Sequence, residues 1–137
     1  MFKKFVSSKI NQLVSIDFSI LILRIGLSGL LLTHGYPKLM RILEGNFSFR
    51  DPIGLGPELS LFMITFAEFF CAALVLIGLW TRLASIPIII GMIIIVFVVH
   101  ADDPFSVQEK GLLFLVGYLV LLLTGSGKYS LDHWFGK

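Results

Sequence analysis

Residues 18–36 read FSILILRIGLSGLLLTHGY and residues 59–80 read LSLFMITFAEFFCAALVLIGLW. Each run approaches the ~20 apolar residues that carry a helix across a bilayer. Each also holds one full charge well inside, Arg24 in the first and Glu68 in the second. A charge in hydrocarbon costs at least ~2.5 kcal/mol on insertion scales, so it is kept where it has a partner or a task. The pattern therefore reads as a membrane bundle with a polar interior.

Two further runs complete the set. Residues 83–99 include Pro87 near their first turns, and residues 110–124 end at Gly125-Ser126-Gly127. The expected architecture is all-α: a polytopic membrane protein forming one domain over residues 1–137, with four transmembrane helices spanning about 18–36, 59–80, 83–99 and 110–124. Pro37 disfavours helical geometry at Tyr36, so the first span is expected to stop there. Ahead of it, Phe2, Phe5, Val6, Ile10, Leu13 and Val14 recur at helical spacing among Lys3, Lys4 and Lys9, a pattern that suits an N-terminal helix lying in the headgroup layer. The connection over residues 39–58 contains Asp51-Pro52-Ile53-Gly54-Leu55-Gly56-Pro57, turn-forming residues expected to fold as a cap over one mouth of the bundle.

Composition points the same way. Of the 137 residues, 56% are hydrophobic and only 15% charged, too thin a charged skin for a soluble domain of this size. A net charge of +2, with basic residues spread between the apolar runs, excludes a nucleic-acid partner. Cys71 is the sole cysteine, so the chain alone builds neither a disulfide nor a thiolate metal site. Lys3, Lys4, Lys9, Arg82, Lys128 and Lys137 fall on one side of the four spans, which places both termini in the cytoplasm.

On a helical wheel, Ser28, His34 and Lys38 share with Arg24 a sector about 120° wide. Thr65, Cys71 and Ala72 flank Glu68 on the second run. Depth estimates put Arg24 a little to the cytoplasmic side of its span's middle and Glu68 slightly to the outer side of its own. A long guanidinium stem can bridge that offset, so a buried ion pair between them is expected, each removing the other's desolvation penalty. His34, Lys38, His100 and Glu109 fall at the same mouth of their spans and together would offer proton donors and acceptors to a small molecule. No ligand spacing on any one helix favours a metal. Arg82, on the tight turn after Trp80-Thr81, is expected to anchor that turn to headgroups or to pair with Asp132 of the tail.

Leu23-Arg24-Ile25-Gly26, His34-Gly35-Tyr36-Pro37-Lys38-Leu39, Ala67-Glu68, Gly78-Leu79-Trp80-Thr81-Arg82-Leu83-Ala84, His100, Glu109 and Gly125-Ser126-Gly127-Lys128-Tyr129-Ser130-Leu131-Asp132 resemble the DoxX family of small bacterial four-helix membrane proteins. The resemblance runs from about residue 18 to 132 and points to Arg24, His34, Lys38, Glu68, Arg82, His100 and Glu109 as the polar positions. It implies an inner-membrane location and an association with quinone-linked systems, such as the membrane subunit of thiosulfate:quinone oxidoreductase, or with complexes that handle oxidative or thiol stress.

Taken together, the expectation is a membrane subunit binding a quinone or a small reduced sulfur compound in a polar, outward-opening cavity. His34, His100 and Glu109 would serve as the catalytic groups, and Lys38, Glu68 and Arg24 as the binding groups. The chain shows no dinucleotide, flavin or iron-sulfur signature, so electrons would come from quinone or from soluble redox partner proteins. A transporter, which with four short spans would need to form a homo-oligomer, and a noncatalytic scaffold for soluble partners are the alternatives.

Overall fold

The computed structural model describes residues 12–136, with side chains from Ile16 onward. Every regular element among them is helical. Helix α1 is Gln12–Leu43. The second span is built from three pieces, α2 (Pro57–Thr65), a π-helical segment Phe66–Cys71, and α3 (Ala72–Ile77). Helix α4 (Thr81–Ile94) continues as a second π-helical segment, Ile95–Val99. Helix α5 is Phe105–Thr124, and the tail carries the short α6, Leu131–Trp134. Four stretches are long and apolar enough to cross a membrane: Ile16–Leu43, Pro57–Ile77, Thr81–Val99 and Phe105–Thr124.

The bundle is inverted relative to a water-soluble one. Ile22, Leu30, Leu83, Phe97 and Leu123 point outward, while Arg24, Ser28, Thr65, Glu68 and Ser85 are buried inside with Leu31, Cys71, Ile88 and Tyr118. In hydrocarbon the outer face needs only to be apolar, and polar groups gain by facing one another in the interior. Ser28 and Tyr118 do so directly, with their hydroxyls 3.0 Å apart.

Helix α1 does not stop at Tyr36. It passes Pro37 and ends at Leu43. Proline in a helix interior removes one backbone hydrogen bond, a loss membrane helices tolerate where side chains and neighbouring helices take up the carbonyls of that turn, as the Lys38 ammonium does for the His34 carbonyl. The amphipathic segment expected in the headgroup layer lies largely outside the described residues. From Gln12 on, the backbone is already continuous with α1.

The turn between the second and third spans is built by the chain's tail. Gly78 adopts the left-handed conformation (φ 76°), and Leu79 N–H returns to the Leu74 carbonyl at 2.9 Å, a glycine-terminated helix end. Trp80 is also left-handed, at φ 51°, an uncommon state for a residue with a side chain. Asp132 stabilises it: its carboxylate accepts the Trp80 N–H at 2.8 Å and the Thr81 N–H at 3.1 Å, capping the start of α4 from about fifty positions away in sequence. Asp132 is therefore no partner of Arg82. That guanidinium is exposed and donates to the Leu123 carbonyl at 3.1 Å, because the backbone amides of the turn already take both carboxylate oxygens.

Candidate functional site

The two interior charges do not meet. Arg24 is 2% exposed and its guanidinium donates to four backbone carbonyls: Val75 at 3.0 Å, Leu76 at 3.0 Å, Ser126 at 2.9 Å and Tyr129 at 2.8 Å. Val75 and Leu76 are in the last turn of α3, where the Val75 carbonyl also accepts the Gly78 N–H, and Ser126 and Tyr129 are in the connection that follows α5. The planar fork of arginine matches such divergent acceptors, so Arg24 ties the tail to α1 and α3.

Glu68 is paired with Lys38 instead, Nζ to Oε2 at 2.5 Å, with the two side chains 22% and 4% exposed. Helix register explains the exchange. Arg24 faces Val75, whereas Gly35 faces Glu68 so closely that a Cβ on Gly35 would lie 2.5 Å from the Glu68 carbonyl carbon and 2.8 Å from the Phe69 nitrogen. Eleven residues of α1 separate positions 24 and 35, about 16 Å of helix, more than the arginine stem spans. Lys38 is one turn beyond Gly35 and reaches back, its ammonium also donating to the His34 carbonyl at 3.2 Å. The expected Arg24–Glu68 pair is thus replaced by two separate polar centres at different depths.

The π-helical segment around Glu68 was not legible in the periodicity. A π turn fits an extra residue into the helix and is often found at functional sites. Here it carries Glu68 to a wall of a cavity of about 620 Å³. The cavity is lined by α1, the second and third spans, the start of α5, and the connection between α1 and α2. His34, Lys38 and Glu68 face it, His100 and Lys110 stand at its rim, and Phe49, Pro52, Ile53 and Leu55 of the connection close one end. His34 meets Phe114 edge to face, ring centres 6.1 Å apart. Arg50 and Ser60 add two more polar groups, but most of the lining is aliphatic or aromatic, such as Leu31, Ile64, Met92 and Ile95, so the cavity is mainly apolar and not the polar chamber that the sequence led us to expect.

Of the other expected site residues, His100 is at the cavity but already engaged, its Nδ1 2.6 Å from the Asp103 carboxylate. Glu109 is exposed and lies outside the lining. Its neighbour Lys110 occupies that place because one residue of α-helix turns the face by about 100°. Lys110 precedes the buried Phe114 by four positions, a spacing that places both on one side of α5 and was available in the sequence. Arg24 is on no wall of the cavity; it sits toward the opposite end of the bundle.

A model of the DoxX family matches residues 19–101. The chain belongs to the DoxX family. The matched stretch holds Arg24, His34, Lys38 and Glu68 and ends just after His100; α5 and the tail lie beyond it. The chain is also similar to an uncharacterized membrane protein of Mycobacterium tuberculosis, 30% identical over an alignment covering 72% of this chain and 76% of that protein. No solved structure matches it. This DoxX protein is accordingly a multi-pass membrane protein in contact with the lipid bilayer.

Proposed function

We propose that this DoxX protein is a bacterial inner-membrane subunit of a quinone-linked redox or thiol-stress system, and that it binds a quinone ring in the cavity beside Lys38 and Glu68. The observation that carries the reading is a lysine–glutamate pair whose carboxylate is buried, with an imidazole beside it, set in a mainly apolar wall. Ligand sites of this kind combine a hydrophobic enclosure with a few placed polar groups, and about 620 Å³ falls within their usual 300–1,000 Å³. The apolar lining favours a flat, lipid-soluble ring over a small sulfur anion.

The donor set suits such a ring. The Lys38 ammonium and the His34 imidazole can donate to ring carbonyls, Glu68 holds Lys38 in place, and Phe114 supplies an aromatic edge. Bound quinone would accept electron pairs together with protons; the chain's own groups bind, orient and donate hydrogen bonds, with electrons delivered by a soluble redox partner or another subunit. The termini would lie in the cytoplasm, which puts the end of the cavity covered by the α1–α2 connection on the outer side. A conduction path is the weaker reading. Arg24, the other interior charge, has four hydrogen bonds to backbone, and Cys71, Val75, Tyr118 and Leu121 fill the core between the two polar centres.

The test is direct. Organic extraction of the purified protein, with native mass spectrometry, should find near-stoichiometric quinone in the wild type and little in Glu68→Gln or His34→Ala, with thermal unfolding showing that the variants are folded. A wild-type protein that neither retains nor takes up quinone discards the reading.

A further inference from the structure

The cavity does not close on the lipid side. Met63, Phe66 and Ile90 line it, yet they are 48%, 52% and 53% exposed. Met63 and Phe66 belong to the second span and Ile90 to the third. The two spans run antiparallel, so Phe66, nine residues in from Pro57, and Ile90, nine residues back from Val99, stand at about the same depth. That depth is roughly 13 Å inside the ends of their helices, where the medium outside a spanning helix is acyl chain and not water.

Small and ring-closed residues line this gap. Gly91 projects no side chain into it, and lets the third span approach Ile64 so closely that a Cβ would crowd the Ile64 Cδ1 at 3.2 Å. Pro87, one turn earlier, also lines the cavity and lacks the N–H of a regular helix residue. Glu68 lies two positions from Phe66 and faces the same cavity.

We infer that the cavity takes a tailed amphiphile from within the bilayer: its polar ring rests against His34, Lys38 and Glu68, and its hydrocarbon tail leaves between the second and third spans, past Phe66 and Ile90. The inference rests on the proposed ring-binding role and adds the route of entry and the need for a tail. A cavity fed only from its looped end would admit water-soluble rings and give no advantage to an alkyl chain.

The experiment uses the full chain in lipid nanodiscs and two probes, a dimethoxy-methyl-benzoquinone bearing a decyl chain and the same ring without it. Ile90→Trp narrows the gap and Phe66→Ala widens it, and both residues are exposed enough for the fold to tolerate the change. Ile90→Trp should slow uptake of the decylated probe about tenfold, the effect of a barrier raised by one added side chain, while Phe66→Ala speeds it. The tail-less probe should respond to neither. Equal effects on both probes, or none on the decylated one, overturn the portal.

Should neither probe bind the wild type, the quinone reading falls, and the portal is judged by a bilayer-dissolved aryl diazirine. On illumination it should label the inner-wall residues Met92 and Ile95 in the wild type and label them less in Ile90→Trp. An unlabelled wall, or labelling unchanged by the tryptophan, overturns the portal independently of any quinone.

Discussion

Lys38 and Glu68, thirty positions apart, share a 2.5 Å ion pair in which the carboxylate side chain is only 4% exposed. The pair bridges the first and second spans next to the point where Gly35 brings their backbones together. Removing one partner from such a pair leaves an uncompensated charge, which is where most of the cost of breaking it arises.

Lys38→Met is therefore expected to destabilise the protein by about 3–5 kcal/mol, and the double change Lys38→Met with Glu68→Gln to recover much of that loss. Unfolding in detergent by denaturant or heat measures both. A double variant as unstable as the sum of its singles contradicts the pairing.

Arg24 and Glu68 belong to separate centres, so their substitutions should act independently. The cycle of Arg24→Leu with Glu68→Gln is expected to be additive within about 0.5 kcal/mol, as for sites with no shared partners. A coupling well above that would show that the two charges communicate after all.

Arg24→Lys keeps the charge but loses the fork. A single ammonium with three donors cannot reach four carbonyls held by α3 and the tail, so a loss of about 2–4 kcal/mol is expected, in the range for buried acceptors left unsatisfied. Protease digestion offers a second readout, with the segment around residues 126–136 cut sooner in the variant than in the wild type.

Asp132→Ala removes the acceptor for the Trp80 and Thr81 amides, the only cap at the start of α4 among the described side chains. The expected cost is about 1–2 kcal/mol, that of losing a helix cap, read from the shift in the unfolding midpoint. Arg82→Ala, by contrast, removes an exposed contact to one carbonyl and should change stability by less than about 0.5 kcal/mol.

Gly35→Ala puts a methyl group against the Glu68 backbone. Overpacking of this kind costs about 1–3 kcal/mol, and here it also pushes apart the helices that hold the cavity wall. Hydrogen exchange around residues 66–71 should increase. Unchanged protection there would mean that the two backbones are not in contact.

The amino-acid sequence by itself determined the class of this protein and the number of its membrane-spanning stretches. Four runs of apolar residues leave no alternative to helices in a bilayer, since backbone groups must be satisfied within each segment. The wheel also placed Arg24, Ser28, His34 and Lys38 on one interior face of the first helix, and Glu68 on the interior of the second. What the tertiary structure alone decided is which of these groups meet. Periodicity fixes the face of a helix but not its axial register against a neighbour. That register depends on α1 continuing past Pro37, on the close approach at Gly35, and on a π turn that shifts every later residue of the second span by one position around the axis. The partner of Arg24 was beyond pattern reading for a further reason: it is a set of backbone carbonyls, which every residue carries and which only the packing of α3 and the tail brings together around one side chain.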